Sequence, residues 1–253
     1  MIPYLHLGPL QLPTFGLMVA LALITAAYVL QADFDRRGMN ADAFTMITVA
    51  GLLGIFGAKL YHLLETPAEF FANPLPLLLS RYGFAWFGGF LGGFGAMLVM
   101  GWQAKLPMWA FLDAASPAAC LGYAIGRVGC FLSGDGDYGK PTSLPWGMSF
   151  PNGVVPTTER VHPAPLYELL IWSAIGWLLW RLGARFLKSQ RHPGEIFCCY
   201  LILTGVARFL VEIIRINPPW IFGLSNAQVA SAISVIGGLI LLIFLRRPSA
   251  ANS

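Results

Sequence analysis

Residues 44–65 read FTMITVAGLLGIFGAKLYHLLE, and this stretch decides the class of fold. It begins with fifteen residues free of charge, and Lys59, His62 and Glu65 close it. A helix that crosses a bilayer needs about 20 mostly apolar residues, so this is a membrane span. Three further apolar stretches also carry ionisable groups: Arg127 in ACLGYAIGRVGCFL (119–132), Glu168 in HPAPLYELLIW (162–172), and Arg208, Glu212 and Arg215 in LTGVARFLVEIIR (203–215). A charge in hydrocarbon costs from about 2.5 to well over 10 kcal/mol by reference state, so such residues mark a functional site. Most of this excess is arginine, whose planar guanidinium suits an anion, and a phospholipid head group is the anion at hand.

The composition extends this reading to the whole chain. Of 253 residues 57% are hydrophobic and 11% charged, with mean hydropathy +0.66. Soluble domains carry about 25% charged residues, so this is an all-α polytopic membrane protein. The net charge of +4 does not point to nucleic acid, because the basic residues fall in short clusters between apolar runs rather than on a surface with interleaved aromatics. Cys120, Cys130, Cys198 and Cys199 all lie in apolar segments without a CxxC pair, which indicates neither a disulfide frame nor a zinc site. The leading MIPYLHLGPLQLP lacks the basic region of a cleavable signal peptide.

Seven spans are expected, at about 14–32, 44–64, 83–102, 109–132, 164–182, 195–214 and 226–245. The Lys/Arg bias orients them. Arg36, Arg37, Lys105, Arg181, Arg185, Lys188, Arg191, Arg246 and Arg247 fall on one side, and Arg81, Lys140, Arg160 and Arg215 on the other. The first side is cytoplasmic, which puts the N-terminus in the periplasm and the C-terminus in the cytoplasm. No linker divides the chain, so residues 1–253 form a single transmembrane domain. The Gly-, Pro- and Ser-rich piece at about 133–162 forms a small periplasmic cap. Residues 66–82, with EFFANPLPLLL, form a second outer segment that lies in the interface.

Several residues keep two readings. Gly88, Gly89, Gly92 and Gly93 in span three make overlapping GxxxG pairs for close helix packing, or room for an acyl chain. Arg127 is either a structural partner of Glu168 or Glu212, or a bidentate phosphate ligand with Gly126 and Gly129 opening access to it. Arg208, Glu212 and Arg215, spaced i, i+4 and i+7, share one helical face, where two arginines against one carboxylate leave positive charge for an anionic ligand. His162 is a general base, a ligand-orienting donor or a structural histidine at a helix start. Cys130 is a packed thiol, or a thiol activated by Arg127. Asp135 and Asp137 read as turn residues.

Together these motifs resemble the prolipoprotein diacylglyceryl transferase family. The matching pieces are PTFGLM (13–18), FAWFGGFLGG (84–93), GRVGCFLSGDGDYG (126–139), HPAPLYE (162–168) and ARFLVEIIR (207–215). The resemblance implies seven spans, an outside N-terminus and an active site open to the periplasmic leaflet of the bacterial cytoplasmic (inner) membrane. It implies transfer of the diacylglyceryl group of phosphatidylglycerol to the lipobox cysteine of a prolipoprotein signal peptide, with glycerol phosphate released and no cofactor or metal. Arg127 and Arg208 match the family's phosphate-binding and catalytic arginines, and His162, Glu168, Glu212 and Arg215 match motif positions. Cys130 stands where the family has asparagine, and Asp135 is the nearest equivalent of its following carboxylate, in a loop one residue longer. Phe87 replaces a histidine that serves the family as a base, and Phe15 replaces a tyrosine. His162 or His62 is then the remaining histidine base, unless the arginine field alone activates the thiol. Other readings are a transferase with the same donor and another acceptor, or a lipid or anion transporter, against which stands the lack of inverted repeats.

Overall fold

The computed structural model describes residues 1–80, 83–189 and 192–247, so the side assigned to Arg81 and Arg191 lies outside the described residues. The chain groups into two compact units, Gln31–Phe111 and Met1–Leu30 with Leu112–Ser253. Helix α1, Thr14–Arg37, runs from one into the other.

In the unit Gln31–Phe111, helices α2 (Ala43–Glu65) and α5 (Trp86–Gln103) pack together, with short helices α3 (Pro67–Ala72) and α4 (Pro74–Leu79) between them in sequence. Asp42 caps α2, its carboxylate accepting from Phe44 N at 2.9 Å and Thr45 N at 3.3 Å. The span-three glycines serve packing. A Cβ on Gly88 would stand 2.2 Å from Gly57 O, and one on Gly92 would stand 2.3 Å from Leu53 O. The backbone of α2 fills the space that an acyl chain would need, as small residues at helix contacts allow. Lys59 is buried, donates to Ser80 O at 3.0 Å and lies 5.0 Å from the Phe84 ring centre. The α3–α4 segment exposes Phe71, Leu75 and Leu79.

The other unit opens with a hairpin that the apolar pattern did not announce, β1 (Tyr4–Leu7) paired antiparallel with β2 (Leu10–Pro13). Thr14 pins it, its hydroxyl lying 2.6 Å from Ile2 O and 2.9 Å from Pro3 O. Helices α6 (Met108–Ser133), α7 (Ala164–Lys188) and α8 (Glu195–Ile214) share a core of Cys120, Ala124, Trp172, Ile175, Leu179, Ile196 and Ala207. Asp113 from α6 caps α8 across space, accepting from Gly194 N and Phe197 N at 2.8 Å each. Helix α9 (Asn226–Leu245) starts in a Ser225–Gln228 capping box and packs along α8. Between α6 and α7 lies the expected cap segment. It holds strands β3 (Met148–Phe150) and β4 (Thr157–Val161) over a small core of Tyr138, Phe150 and Val161.

Among the described residues five helices, α1, α2, α6, α8 and α9, are long and apolar enough to cross a membrane. Helix α5 is diluted by glycines, and α7 by Glu168, Arg181 and Arg185. The molecule is therefore a mostly helical, polytopic membrane protein. Its spans expose large apolar side chains, for example Leu52, Phe56, Ile233 and Ile240, as lipid-facing helices do.

Candidate active site

Arg127 lies in the last two turns of α6, six residues before the helix ends at Ser133. Gly134 and Gly136, at φ +60° and +94°, then turn the chain through left-handed conformations that other residues adopt at a cost. The returning segment is wedged between the cap and the end of α8. Gly139 N donates to His162 O at 2.8 Å, and Lys140 N donates to Ile214 O at 2.7 Å. A Cβ at Gly139 would stand 2.5 Å from Ile214 O, so only glycine passes through this seam. Helix α8 stops at Ile214, and Arg215 continues in extended conformation, bridged to Gly139. Arg208 and Glu212 thus share a helical face, whereas Arg215 reaches the site from the cap seam and not from the helix.

The seam assembles a compact ion cluster. Glu168 of α7 is fully buried and forms its hub. Its Oε2 lies 3.1 Å from Arg127 Nε and 3.7 Å from Arg215 Nη1, and its Oε1 lies 3.2 Å from Arg208 Nη1. Tyr123 donates its hydroxyl hydrogen to the same Oε1 at 3.0 Å. Glu212 pairs with Arg208 Nη2 at 2.9 Å and accepts from Asn217 Nδ2 at 2.6 Å and Ser225 Oγ at 2.7 Å. Asp137 closes the cluster from the loop. One carboxylate oxygen meets Arg127 Nη1, and the other meets Arg215 Nη2 at 2.5 Å. Arg215 Nη1 also donates to the Asp137 carbonyl at 3.0 Å.

Three guanidiniums therefore face three carboxylates, and the surplus positive charge expected from the Arg-Glu-Arg pattern is cancelled. The balance is graded by depth. Glu168 and Glu212 side chains are 0% and 1% exposed, while Asp137 is 32% exposed. Glu168 Oε2, Glu212 Oε2 and Arg215 Nε are buried in ion-pair range yet outside hydrogen-bond alignment, so these contacts are chiefly Coulombic. Burial acts to raise the Asp137 carboxyl, but Arg127 and Arg215 outweigh it and hold it below the ordinary carboxylate value. Burial raises the neighbouring Asp135 carboxyl, and the charge of Asp137 adds to that.

The orientation of Arg127 has a chemical consequence. Its side edge is taken, Nε by Glu168 and Nη2 by the Tyr123 oxygen at 2.7 Å. Only Nη1 faces the loop, toward Asp137 and toward Cys130 Sγ at 3.5 Å. The side-on fork of Arg127, Nε with Nη2, is therefore taken. Asp137 takes one nitrogen from Arg127 and one from Arg215. Of the glycines beside Arg127, Gly129 packs on α1, where an added Cβ would lie 3.1 Å from Met18 Cβ, and Gly126 faces open space.

Cys130, Asp135 and Asp137 bring ligand atoms within 4.8 Å of one another, but the donor set suits a cation poorly. Both Asp137 oxygens are held by guanidiniums, and Arg127 would repel an ion there. His162 stands apart from the cluster. Its Nδ1 lies 3.2 Å from Tyr167 Oη, which accepts from Trp146 Nε1 at 2.8 Å. Among the described residues no hydrogen bond joins His162 to the arginines. His62 belongs to the unit Gln31–Phe111, where its ring fills the space beside Gly83. Phe87, in the first turn of α5, is exposed and packs edge-on against Trp86.

Sequence reading did not place Tyr123, Asn217 or Ser225 in the site, and it took Asp137 for a turn residue. Tyr123 stood one helical turn before Arg127, a legible signal. Asn217 and Ser225 carry no signal, since only the closure of the loop after α8 brings them to Glu212.

Comparison with known proteins fits this geometry. The family described as prolipoprotein diacylglyceryl transferase matches residues 3–244. A Clostridium tetani protein named phosphatidylglycerol--prolipoprotein diacylglyceryl transferase is 30% identical over 234 residues, covering 91% of this chain and 92% of its own length. Proteins of the same name from Leifsonia xyli subsp. xyli and Synechococcus elongatus are 32% and 30% identical, covering 94% and 95% of this chain and 76% and 86% of their own lengths. With the match running through the arginine cluster and the helices that build it, the chain belongs to the prolipoprotein diacylglyceryl transferase family.

Proposed function

We propose that this chain transfers the diacylglyceryl group of phosphatidylglycerol to the lipobox cysteine of prolipoproteins and releases glycerol phosphate. The observation that carries the reading is the arginine cluster. Arg127 and Arg215 hold a carboxylate between single nitrogens, at the most exposed corner of a network whose other anions are buried. A lipid phosphate has the charge and the oxygen spacing to take that corner in place of Asp137.

The chemistry is substitution at carbon. The cysteine sulfur attacks the glycerol carbon that bears the phosphate, a C–S bond forms, and the C–O bond breaks with its electron pair leaving on the phosphate. The thiol proton goes to a base. Charge grows on the leaving phosphate, and guanidiniums held in place beforehand stabilise it without reorganising. Arg127 and Arg215 contact the phosphate, Arg208 joins them as negative charge grows, and Glu168 and Glu212 hold all three. Cys130 and Asp135 border the same corner and contact the substrate. His162 serves as the base from the cap. The balanced charge of the cluster weakens the alternative in which an arginine field alone ionises the thiol.

In this reading α5 and α7 also cross the bilayer, which makes seven spans in a single transmembrane domain. The N-terminus and the cap lie in the periplasm. The C-terminus and the basic residues at the ends of α1, α7 and α9 lie in the cytoplasm of a bacterial inner-membrane protein. The test is incubation of purified protein with phosphatidylglycerol and a lipobox peptide, read by mass spectrometry. A peptide gaining one diacylglyceryl group, with glycerol phosphate released, is expected. An unmodified peptide, under conditions in which the Clostridium tetani relative modifies it, overturns the reading.

A further inference from the structure

We propose that Tyr123 is a positioning residue for Arg127 in the transfer reaction, a role that rests on the function proposed above. Its hydroxyl is used twice. It accepts from Arg127 Nη2 at 2.7 Å and donates to Glu168 Oε1 at 3.0 Å. Its ring lies under the same guanidinium, 4.7 Å from ring centre to Cζ, and is backed by Trp172 at 4.8 Å between ring centres. One face and one edge of Arg127 are therefore set by one side chain, placed a helical turn away on α6.

The consequence is directional. Nη2 is fixed by a hydrogen bond to Tyr123 and Nε lies in Coulombic range of Glu168, an arrangement that leaves Nη1 facing the loop corner. Without the hydroxyl the edge keeps only the Coulombic contact at Nε, which sets no direction, and the plane can turn. Nη1 then spends less time where phosphate charge develops, and misplacement of a catalytic group on this scale lowers rate more than binding. Glu168 Oε1 also receives Arg208, so the Tyr123 hydroxyl joins the two arginine-bearing helices through one oxygen. A tyrosine that served packing alone would need its ring against Trp172 and would have no call on the polar groups.

The test uses full-length protein in detergent or proteoliposomes with phosphatidylglycerol and a lipobox peptide. Tyr123→Phe keeps the ring and removes the hydroxyl. Loss of a hydrogen bond to a charged group predicts a fall in kcat of about ten- to a hundredfold, with KM for the lipid changed by less than about threefold. The discriminating measurement is the cycle with Arg127→Lys. If Tyr123 acts through the guanidinium, adding Tyr123→Phe to Arg127→Lys changes kcat by less than about twofold, whereas independent effects multiply. Equal losses in both backgrounds overturn the proposal, as does wild-type kcat in Tyr123→Phe. Should Tyr123→Phe fail to fold, Tyr123→Gln decides, since it returns a donor and an acceptor without the ring. A kcat at least about fivefold above that of Tyr123→Ala supports positioning by the hydroxyl, and a loss as deep as that of Tyr123→Ala overturns it. An inactive wild-type protein is a separate outcome and defeats the function reading itself.

Discussion

Replacing Glu168 with glutamine keeps the shape of the hub and deletes its charge. The side chain is 0% exposed, and three guanidiniums lie within 3.7 Å of its oxygens. The cluster would pass from three cations against three carboxylates to three against two, and the new amide NH2 would face donors. Breaking a buried ion pair by removing one partner costs about 3–5 kcal/mol, and the low end applies here because Glu212 and Asp137 still pair with the same arginines. For a chain of this size 3 kcal/mol corresponds to roughly 6–12 °C in Tm. Turnover falls further, by about a hundredfold, because Arg127 and Arg208 lose the anchor that aims them. Thermal unfolding in detergent and the lipobox-peptide assay measure the two effects on one preparation. Glu168→Gln combined with Arg208→Gln restores the charge balance, so it regains part of the Tm and none of the activity. A Glu168→Gln protein with wild-type Tm and kcat would refute the idea that this carboxylate organises the site.

Asp137→Asn removes the anion with which the lipid phosphate competes, so KM for phosphatidylglycerol falls by about three- to tenfold, and a raised KM counts against the shared seat. The same variant has a pH signature in Tm. The Asp137 carboxyl is lowered in the folded state, so its stabilisation is present above the unfolded value of about 4 and is lost as pH falls through the folded value. Below about pH 4 the difference in Tm between Asp137→Asn and wild type therefore shrinks, and a difference that grows there contradicts the sign. His162→Gln loses most turnover, whereas wild-type turnover removes His162 as the base, and wild-type turnover in His62→Gln as well removes histidine altogether. Cysteines at Ser143 and Ser189 report the sides of the membrane: an impermeant thiol reagent on intact cells labels Ser143→Cys and spares Ser189→Cys, and the reverse overturns the topology.

Composition and hydropathy alone determined the class of this protein and most of its helices, because a span is a local property of about 20 consecutive residues. The expected starts and ends of α2, α8 and α9 agree with the structure within about two residues. Arg127, Glu168, Arg208 and Glu212, which meet in the ion cluster, were legible as candidates, since charge inside an apolar run stands out without any partner in view. Their balance was not legible. The pattern on α8 showed two arginines to one carboxylate, whereas the folded site adds Glu168 from α7 and Asp137 from the loop, 78 residues from Arg215. The N-terminal hairpin and the departure of Arg215 from the face of α8 were hidden for the same reason, because they depend on backbone pairing between segments and not on side-chain periodicity. Asp135 was favoured over Asp137 by alignment in a loop of altered length, and only the turn through Gly134 and Gly136 decides which carboxylate reaches the arginines. Short-range patterns say which residues must leave water. Which of them then meet is settled by tertiary packing, because an ion pair in a low dielectric depends on distances of a few ångström that no sequence spacing specifies.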